Sequence, residues 1–445
     1  MNLSPAQLEA FHAIMARQHA MLYGTMGAGK TRVATAVIVA RGGSALVLAP
    51  REAARDAWHK ELSAAGLEFE VLVGKPLAQV MRAFGRDVPV IVLSPDQFPG
   101  LMKAGHRDTI TAGRQLIIDE IDWWRAPGSR RVKAMRRATA RFSHVLSMTG
   151  TPVSESIEGM YAMMLCTDGG KCLGTRTDKY MDLYFEPLPP GVTHGRREPR
   201  KGAMQAVATR IAPLVVAMPD YRGELPLFDD ITVWFDPPAE TREVMRILAK
   251  ERYAMVGERL VTVANMGVLQ ALLTQLASGV LYDGESDNEE YDEWDTTRVD
   301  AADRWQRNMS HARLVVFYEL RADRDRFHAQ CTNRPVFKTT DPDWMERWKR
   351  SANGVLLAHP RSLGHGVNLQ NHCSVIAWLA PNWGRGLTDQ GNARVWRTGQ
   401  HNPVVCVTFA GRGTVDEVKL RRLETKEEND EAFRAFLASL RDARA

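Results

Sequence analysis

Long apolar runs are missing from this sequence, which nowhere reaches the roughly 18 consecutive apolar residues of a membrane-spanning helix. Its first residues also lack the charged segment followed by an apolar core that marks a secretory signal. Cysteine is scarce: five are scattered along the chain without a C-x-x-C pair, which excludes a disulfide framework and the usual structural zinc patterns. We therefore expect a soluble, cytoplasmic protein that does not bind membranes.

Neither basic nor acidic residues are in large excess, since the formal net charge is only +5. The acidic residues are concentrated, however, in "DGESDNEEYDEWD" (283–295), which carries eight acidic residues and no basic one. A run of like charge predicts a solvated loop. The rest of the chain is accordingly more basic than the net charge suggests, and it offers a surface for a polyanion.

Short runs of Val, Ile and Leu recur between helix-like segments in both halves of the chain. They are "ALVLAP" (45–50), "VPVIVLS" (88–94), "QLIIDE" (115–120), "HVLSMTG" (144–150), "RLVVFY" (313–318), "GVLLAH" (354–359), "SVIAWLA" (374–380) and "VVCVTF" (404–409). Runs without polar alternation predict strands that are buried on both faces of a parallel sheet. We predict two α/β domains, residues 1–228 and 229–445, with an acidic insert near 283–295 in the second.

A phosphate-loop pattern, G-x-x-x-x-G-K-[ST], lies in "MLYGTMGAGKTRVATAV" (21–37). Its glycines, Gly24, Gly27 and Gly29, allow backbone N–H groups to surround a phosphate at the start of a helix. Lys30 would neutralise the β and γ phosphates, and the Thr31 hydroxyl would hold Mg²⁺. A glycine-rich turn that binds nothing is the alternative interpretation.

Polar groups follow two later apolar runs. In "IIDEID" (117–122), Asp119 can hold Mg²⁺ and Glu120 can polarise a water, which favours an ATPase over a kinase. In "SMTGTP" (147–152), small hydroxyl residues at a strand end could sense the γ-phosphate, although a generic turn would look the same.

Two arginine-rich segments are candidates for binding phosphate groups. In "QGNARVWRTGQ" (390–400), Arg394 and Arg397 have the i, i+3 spacing of neighbours on a helical turn, and guanidinium groups suit the charge of a transferring phosphoryl. The segment "SRRVKAMRRATAR" (129–141) predicts a basic helix that contacts nucleic-acid phosphates without reading sequence. A solvated basic helix is the alternative.

Seven motifs taken in order resemble motifs I, Ia, II, III, IV, V and VI of superfamily 2 helicases. They are "GTMGAGKT", "LAPR", "DEID", "TGTP", "VVFY", "GHGVNLQ" and "QGNARVWRTGQ". The last motif and "LVLAPREAARDAWHKEL" (46–62) resemble the Swi/Snf-like branch of DNA translocases. The stretch from "TGTPVSESIEGMYAMM" through "DGGKCLGTRTDKYMDLYF" (149–185) looks most like the small versions encoded by bacteriophages. The resemblance implies an α/β fold of two RecA-like, parallel-sheet lobes flanking an ATP cleft.

The resemblance also implies roles for individual residues. Lys30 and Thr31 would bind the phosphates and Mg²⁺, Asp119 the Mg²⁺ and Glu120 the water, while Arg394 and Arg397 would act as arginine fingers. The remaining roles are adenine recognition by Gln7, coupling of ATP to DNA by Thr149, Gly150, Thr151, Gly366, Asn368 and Gln390, and DNA contacts by Arg51, Arg130, Arg131, Arg136 and Arg137.

One position departs from the branch, because Asp122 stands where a histidine is usual. This puts the contact between motifs II and III in doubt.

The sequence thus predicts a DNA-stimulated ATPase that moves along double-stranded or branched DNA, with ATP and Mg²⁺ as cofactors. Phage replication or recombination proteins are possible partners, and a phage-encoded chain would work in the host cytoplasm. We find no inserted aromatic hairpin and therefore expect little separation of duplex strands. Two alternatives are an RNA-directed unwinding enzyme of the same superfamily and a non-motor, ATP-dependent DNA clamp or switch.

Overall fold

The computed structural model describes nine segments of the chain, 2–103, 107–150, 157–188, 197–220, 224–257, 259–283, 290–309, 311–363 and 367–425. These form two compact units, of which the first covers residues up to 220 and the second covers 224–363 together with 367–425. None of the described helices is long and apolar enough to cross a membrane.

The first unit contains a sheet of seven parallel strands. They are β1 (His19–Tyr23), β2 (Ala45–Leu48), β3 (Phe69–Val71), β4 (Val90–Leu93), β5 (Gln115–Ile118), β6 (Val145–Thr149) and β7 (Val215–Ala217). Their order is β3-β4-β2-β5-β6-β1-β7. All four apolar runs predicted in this half are strands of the sheet.

Helices cover both faces of the first sheet. They are α1 (Pro5–Met15), α2 (Lys30–Ala40), α3 (Arg51–Ala53), α4 (His59–Ala64), α5 (Leu77–Gly85), α6 (Phe98–Lys103), α7 (Arg107–Thr111), α8 (Arg130–Ala138), α9 (Ile157–Asp168), α10 (Thr177–Tyr184) and α11 (Ala203–Ile211). Alternate residues of one strand enter different cores: Leu46 and Leu48 pack on one face of the sheet, whereas Ala45 and Val47 pack on the other. Burial on both faces explains why the strand sequences show no polar alternation.

The second unit contains six parallel strands in the order β14-β15-β13-β16-β17-β8 and two antiparallel pairs, β9 with β10 and β11 with β12. The strands are β8 (Phe228–Phe235), β9 (Tyr253–Val256), β10 (Arg259–Thr262), β11 (Val280–Tyr282), β12 (Tyr291–Glu293), β13 (Leu314–Phe317), β14 (Val336–Lys338), β15 (Val355–Ala358), β16 (Val375–Trp378) and β17 (Val404–Gly411). The helices are α12 (Ala239–Glu251), α13 (Met266–Ala277), α14 (Thr297–Asn308), α15 (Arg321–Gln330), α16 (Trp344–Arg350) and α17 (Arg385–Asn392).

Two parallel α/β sheets confirm the predicted RecA-like architecture. The two units divide close to residue 221, ahead of the boundary predicted after residue 228. The reason lies in the pairing of β8, since Phe228 is already in register with Val404 of β17.

The acidic insert is not a loop throughout. Residues 284–289 lie outside the described segments, but Tyr291–Glu293 forms β12 and pairs with β11. Arg259 forms an ion pair with Asp292 at 2.9 Å, and the ring of Tyr291 packs edge-on against Tyr282. The loop prediction is therefore wrong for the end of this segment, because residues 291–293 pair with β11, whereas Asp292 and Glu293 keep the exposed side chains that were predicted.

A short antiparallel pair bears on the expectation that the chain has no inserted aromatic hairpin. In the antiparallel pair β9–β10, Tyr253 and Met255 lie opposite Thr262 and Leu260, and all four side chains are exposed. Paired residues point to the same face of a hairpin. One face is thus solvent-exposed and carries Tyr253, Met255 and Leu260.

Candidate active site

The loop after β1 has the geometry of an anion cradle. Gly27 and Gly29 have φ values of 84° and 81°, in the left-handed region that favours glycine, and α2 begins at the next residue. The loop therefore ends at the N-terminus of a helix, where backbone N–H groups and the helix dipole both favour negative charge.

Lys30 and Thr31 open that helix. The Lys30 Nζ donates hydrogen bonds to the carbonyl oxygens of Gly24, at 2.8 Å, and Thr25, at 3.3 Å, so the ammonium group lies over the loop. Thr31 lies half-buried in the first turn of α2. A threonine hydroxyl and an aspartate carboxylate are the hard oxygen ligands that Mg²⁺ accepts alongside phosphate oxygens, so Thr31 and Asp119 fit this ion.

Gln7 contacts the loop directly. Its Nε2 donates to the carbonyl of Ala28 at 3.1 Å, while its Oε1 accepts from the backbone N–H of Ser4 in a capping box at the start of α1. A carboxamide has a second N–H and a second lone pair, which leaves one donor and one acceptor site for another partner.

Asp119 follows β5 and is buried at 6 % exposure. Its Oδ2 accepts a 2.8 Å hydrogen bond from the indole Nε1 of Trp58, and its Oδ1 accepts from the backbone N–H of Glu120. Trp58 is fully buried at the end of a π-helical turn, Ala54–Trp58. Two donors thus fix the orientation of the carboxylate that the sequence assigns to the metal.

Trp58, which lies in the motif-like segment 46–62, is a candidate positioning residue to which the sequence assigned no role. A usable signal exists, because a buried indole N–H requires an acceptor. The identity of that acceptor depends on the packing of the helix after β2 against the end of β5, which local sequence does not encode.

Glu120 has an unusual backbone conformation, with φ 50° and ψ 61°. This is the left-handed region, which a non-glycine residue adopts at a cost and which is found most often at functional sites. The short 3₁₀ helix Ile121–Trp124 starts immediately after it, and Glu120 is 9 % exposed.

Asp122 links two motifs. The Thr149 hydroxyl donates to Asp122 Oδ2 at 2.6 Å, and Arg125 forms an ion pair with Oδ1 of the same carboxylate at 2.9 Å. The contact between motifs II and III, which the replacement of histidine put in doubt, is therefore present and uses a carboxylate.

Thr149 and Gly150 also reach the phosphate loop. Gly24 donates its backbone N–H to the Thr149 carbonyl at 3.3 Å, and a Cβ placed on Gly150 would lie 3.8 Å from Lys30 Nζ. The pairing of β1 with β6 therefore brings motif III to the loop. The third predicted residue of this motif, Thr151, lies outside the described segments.

The predicted residues of the second unit form their own group. Arg397 Nη1 donates to Asn368 Oδ1 at 2.6 Å, and its Nε is buried without a hydrogen-bond partner among the described residues. Burial lowers the pKa of Arg397 from its ordinary value, so an anionic partner would favour its charged form. Gln390 lies in the last turn of α17, and Gly366 is outside the described segments.

Arg394 and Arg397 do not share a helical face. Helix α17 ends at Asn392, and both arginines belong to the turns that follow. Long-range hydrogen bonds shape this stretch, because the Arg394 carbonyl accepts from Leu369 N–H and the Trp396 indole donates to the Pro226 carbonyl. Arg394 is 9 % exposed.

The candidate DNA contacts lie on the first unit and differ in their surroundings. Arg51 begins α3, and Arg130, Arg136 and Arg137 are exposed on α8. Arg131 is instead paired with Asp96 at 2.6 Å, and its guanidinium group lies 5.8 Å from the ring centre of Trp123. It is thus partly neutralised within the chain.

Residues 4–159 match the family model described as DEAD/DEAH box helicase. This part of the chain is a helicase domain. The domain includes the phosphate loop, Asp119, Glu120 and Thr149, so the resemblance to superfamily 2 helicases is confirmed. Helicases hydrolyse ATP, and the chain is accordingly an ATP-hydrolysing enzyme that uses this nucleotide.

One curated relative and two solved structures are similar over most of the chain. The relative is protein p41 of Acyrthosiphon pisum secondary endosymbiont phage 1, 23 % identical over 401 residues, which are 86 % of this chain and 85 % of p41. The structures are the Sulfolobus solfataricus SWI2/SNF2 ATPase core in complex with dsDNA and the same core domain alone. The match to the complex with dsDNA covers 94 % of this chain and 89 % of the Sulfolobus chain, with a TM-score of 0.44 and 17 % identity. The match to the core domain alone covers 96 % of this chain and 89 % of the Sulfolobus chain, with a TM-score of 0.43 and 17 % identity.

Proposed function

We propose that this protein is an ATP-driven DNA translocase of the Swi/Snf-like type that remodels branched DNA or displaces bound factors. The observation that carries the proposal is the link from Asp122 to Thr149 and on to the loop that holds Lys30. A motor needs such a link, because the state of the nucleotide must change the conformation of other parts of the protein. The branch assignment rests on the sequence motifs.

In the proposed hydrolysis, each group near the loop has one role. Lys30 neutralises the β and γ phosphates, and Glu120 orients the attacking water and accepts its proton. Asp119 and Thr31 would hold Mg²⁺, which supplies charge neutralisation on the phosphate oxygens when bound. Trp58 positions Asp119, and Gln7 recognises adenine with its remaining donor and acceptor.

The second unit contributes Arg394 and Arg397 as arginine fingers. Their guanidinium groups stabilise the charge on the transferring phosphoryl, and Asn368 orients Arg397 for this task. Thr149, Gly150, Thr151, Gly366, Asn368 and Gln390 transmit the nucleotide state to DNA.

DNA binds through phosphate contacts of Arg51 and the exposed arginines of α8. Such contacts position the duplex without reading its sequence. The phage origin of p41 supports a setting in phage replication or recombination, in the cytoplasm of the host.

The test measures ATP hydrolysis with duplex DNA, single-stranded DNA and RNA, followed by displacement of a third strand from a triplex. Stimulation by duplex DNA together with ATP-dependent triplex displacement is the expected result. Preferential stimulation by RNA would favour an RNA-directed enzyme. Tight ATP-dependent DNA binding without displacement would favour a clamp.

A further inference from the structure

A small cavity with a cationic lining lies between α6, α7 and α8 of the first unit. Its volume is about 210 Å³. Its floor is apolar and includes Pro99, Met102, Ala134 and Ala138. The charged residues that line it are Lys103, Arg107, Arg130, Lys133 and Arg137.

These five cations have no acidic partner within ion-pair distance in the described parts of the chain. The two acidic residues of the neighbouring elements are engaged elsewhere, Asp96 with Arg131 at 2.6 Å and Asp108 with Arg141 at 2.5 Å. Five like charges around one small space repel one another, and an anion in that space would relieve the repulsion.

The lining also has elements of fixed geometry. The Arg107 Nε donates to the carbonyl of Met102 at 3.0 Å, which holds its guanidinium group beside the end of α6. Lys103 and Arg107 line the cavity together with residues of α8, although more than twenty residues separate them from α8 in sequence. The cavity is therefore a product of the fold, whereas the sequence alone shows only the basic run of α8.

The size and charge of the cavity identify the kind of anion. Sites for whole small molecules usually enclose about 300–1,000 Å³, so this cavity is too small for a nucleotide. A phosphodiester group with part of its sugar is small enough, and cationic side chains over an apolar floor suit it. None of the lining residues belongs to the phosphate loop or to the motifs around it.

We propose that this cavity binds a backbone phosphate of the DNA, so that Lys103, Arg107 and Lys133 extend the DNA-contacting surface beyond the arginines of α8. The inference rests on the proposed DNA translocase function. Because the groups come from three helices, the bound phosphate would fix one point of the DNA path on the first unit.

The test compares two charge-matched variants of the full chain, Lys103→Gln/Lys133→Gln in the cavity and Lys60→Gln/Lys179→Gln on exposed positions that do not line it. Binding of a fluorescent blunt duplex is measured by anisotropy between 50 and 200 mM salt. Loss of the one phosphate contact in the cavity should reduce the magnitude of the slope of log K against log salt by about 0.9 and weaken binding about eightfold near 0.1 M salt. The control variant should match the wild-type protein.

The outcomes separate the two proposals. If the wild-type protein binds duplex DNA and the cavity variant shows the same slope and affinity, the cavity holds no phosphate while the translocase proposal stands. If the wild-type protein does not bind DNA at all, both proposals are wrong. Far-UV circular dichroism and the melting temperature check folding, and should the double variant be unfolded, Lys133→Gln alone should still reduce the magnitude of the slope and weaken binding.

Discussion

At the scale of single residues, the site depends on polar groups at strand ends that are held by other side chains. Asp119 is oriented by Trp58, and Asp122 is held by both Thr149 and Arg125. Carboxylates that accept directed hydrogen bonds keep one orientation, which suits the metal and phosphate binding proposed for this site.

The roles proposed for Lys30 and Glu120 predict different effects of their substitution on ATP binding and ATP hydrolysis. Lys30→Ala should weaken ATP binding and abolish hydrolysis, because it removes the charge over the loop. Glu120→Gln should bind ATP normally and stop turnover, since it keeps the size of the side chain but removes the proton acceptor. Nucleotide-binding titrations and steady-state ATPase assays distinguish the two. Near wild-type hydrolysis by Glu120→Gln would show that another group activates the water.

Arg394 and Arg397 are expected to act in the transition state. Arg394→Ala and Arg397→Ala should each reduce kcat by something like the 10³ to 10⁵ factor typical of arginine fingers, with a smaller effect on ATP affinity. Arg412→Ala, an exposed arginine of the same unit, is the control and should leave kcat unchanged. Equal losses in affinity and turnover would mean that these residues bind the ground state instead.

Trp58 provides a test of how Asp119 is positioned. Trp58→Phe removes the indole donor and should raise the Mg²⁺ concentration for half-maximal ATPase activity by about 10- to 100-fold, as loss of groups behind a metal ligand usually does. Trp124→Phe is the matched control, because Trp124 is equally buried and its indole N–H has no hydrogen-bond partner among the described residues. A similar Mg²⁺ shift in both variants would attribute the effect to packing.

At the scale of elements, the sequence predicted what depends on local pattern. All eight apolar runs are strands, since uninterrupted Val, Ile and Leu favour burial on both sheet faces. The left-handed conformation of Glu120 and the non-helical turns around Arg394 were not predictable, because they depend on hydrogen bonds between segments far apart in the chain. The interaction of Asp122 with Thr149 likewise depends on how the ends of β5 and β6 are placed side by side.

The hairpin β11–β12 changes what is expected of the acidic insert. Besides the pairing of its strands, Asp295 accepts hydrogen bonds from Thr297 at the start of α14, and the Asp295 carbonyl accepts from Arg326. Deletion of 283–295 should therefore lower the melting temperature and the basal ATPase rate together.

A shorter deletion is the control for that experiment. The backbone N–H of Asp283 donates to the carbonyl of Glu290 at 3.0 Å, so an Asn-Gly turn in place of 284–289 can join the strands. This variant should keep both the wild-type melting temperature and basal ATPase activity. If the complete deletion behaves in the same way, the hairpin contributes nothing to the stability of its unit.

At the scale of the whole molecule, motion along DNA and separation of its strands are different activities. We expect ATP-dependent triplex displacement and fork regression, with little unwinding of a blunt duplex. The exposed face of β9–β10 is the feature that could change this result, because Tyr253 could stack on a base. Any unwinding observed should therefore be lost in Tyr253→Ser/Leu260→Ser, while triplex displacement persists. Efficient duplex unwinding by the Tyr253→Ser/Leu260→Ser variant would contradict the translocase prediction. It would also show that strand separation depends on a part of the protein other than β9–β10.

The position of β8 has a consequence for synthesis on the ribosome. This strand is at the edge of the second sheet, and its partner β17 starts at Val404, about 170 residues after β8 ends. At about 5–20 residues per second, β8 emerges roughly ten to thirty seconds before the strand it pairs with. During that interval Val233 and Phe235, which pack into the core of the second unit, and the backbone groups of β8 have no partner in the sheet, so the nascent chain presents a binding segment for chaperones until the last strand is made.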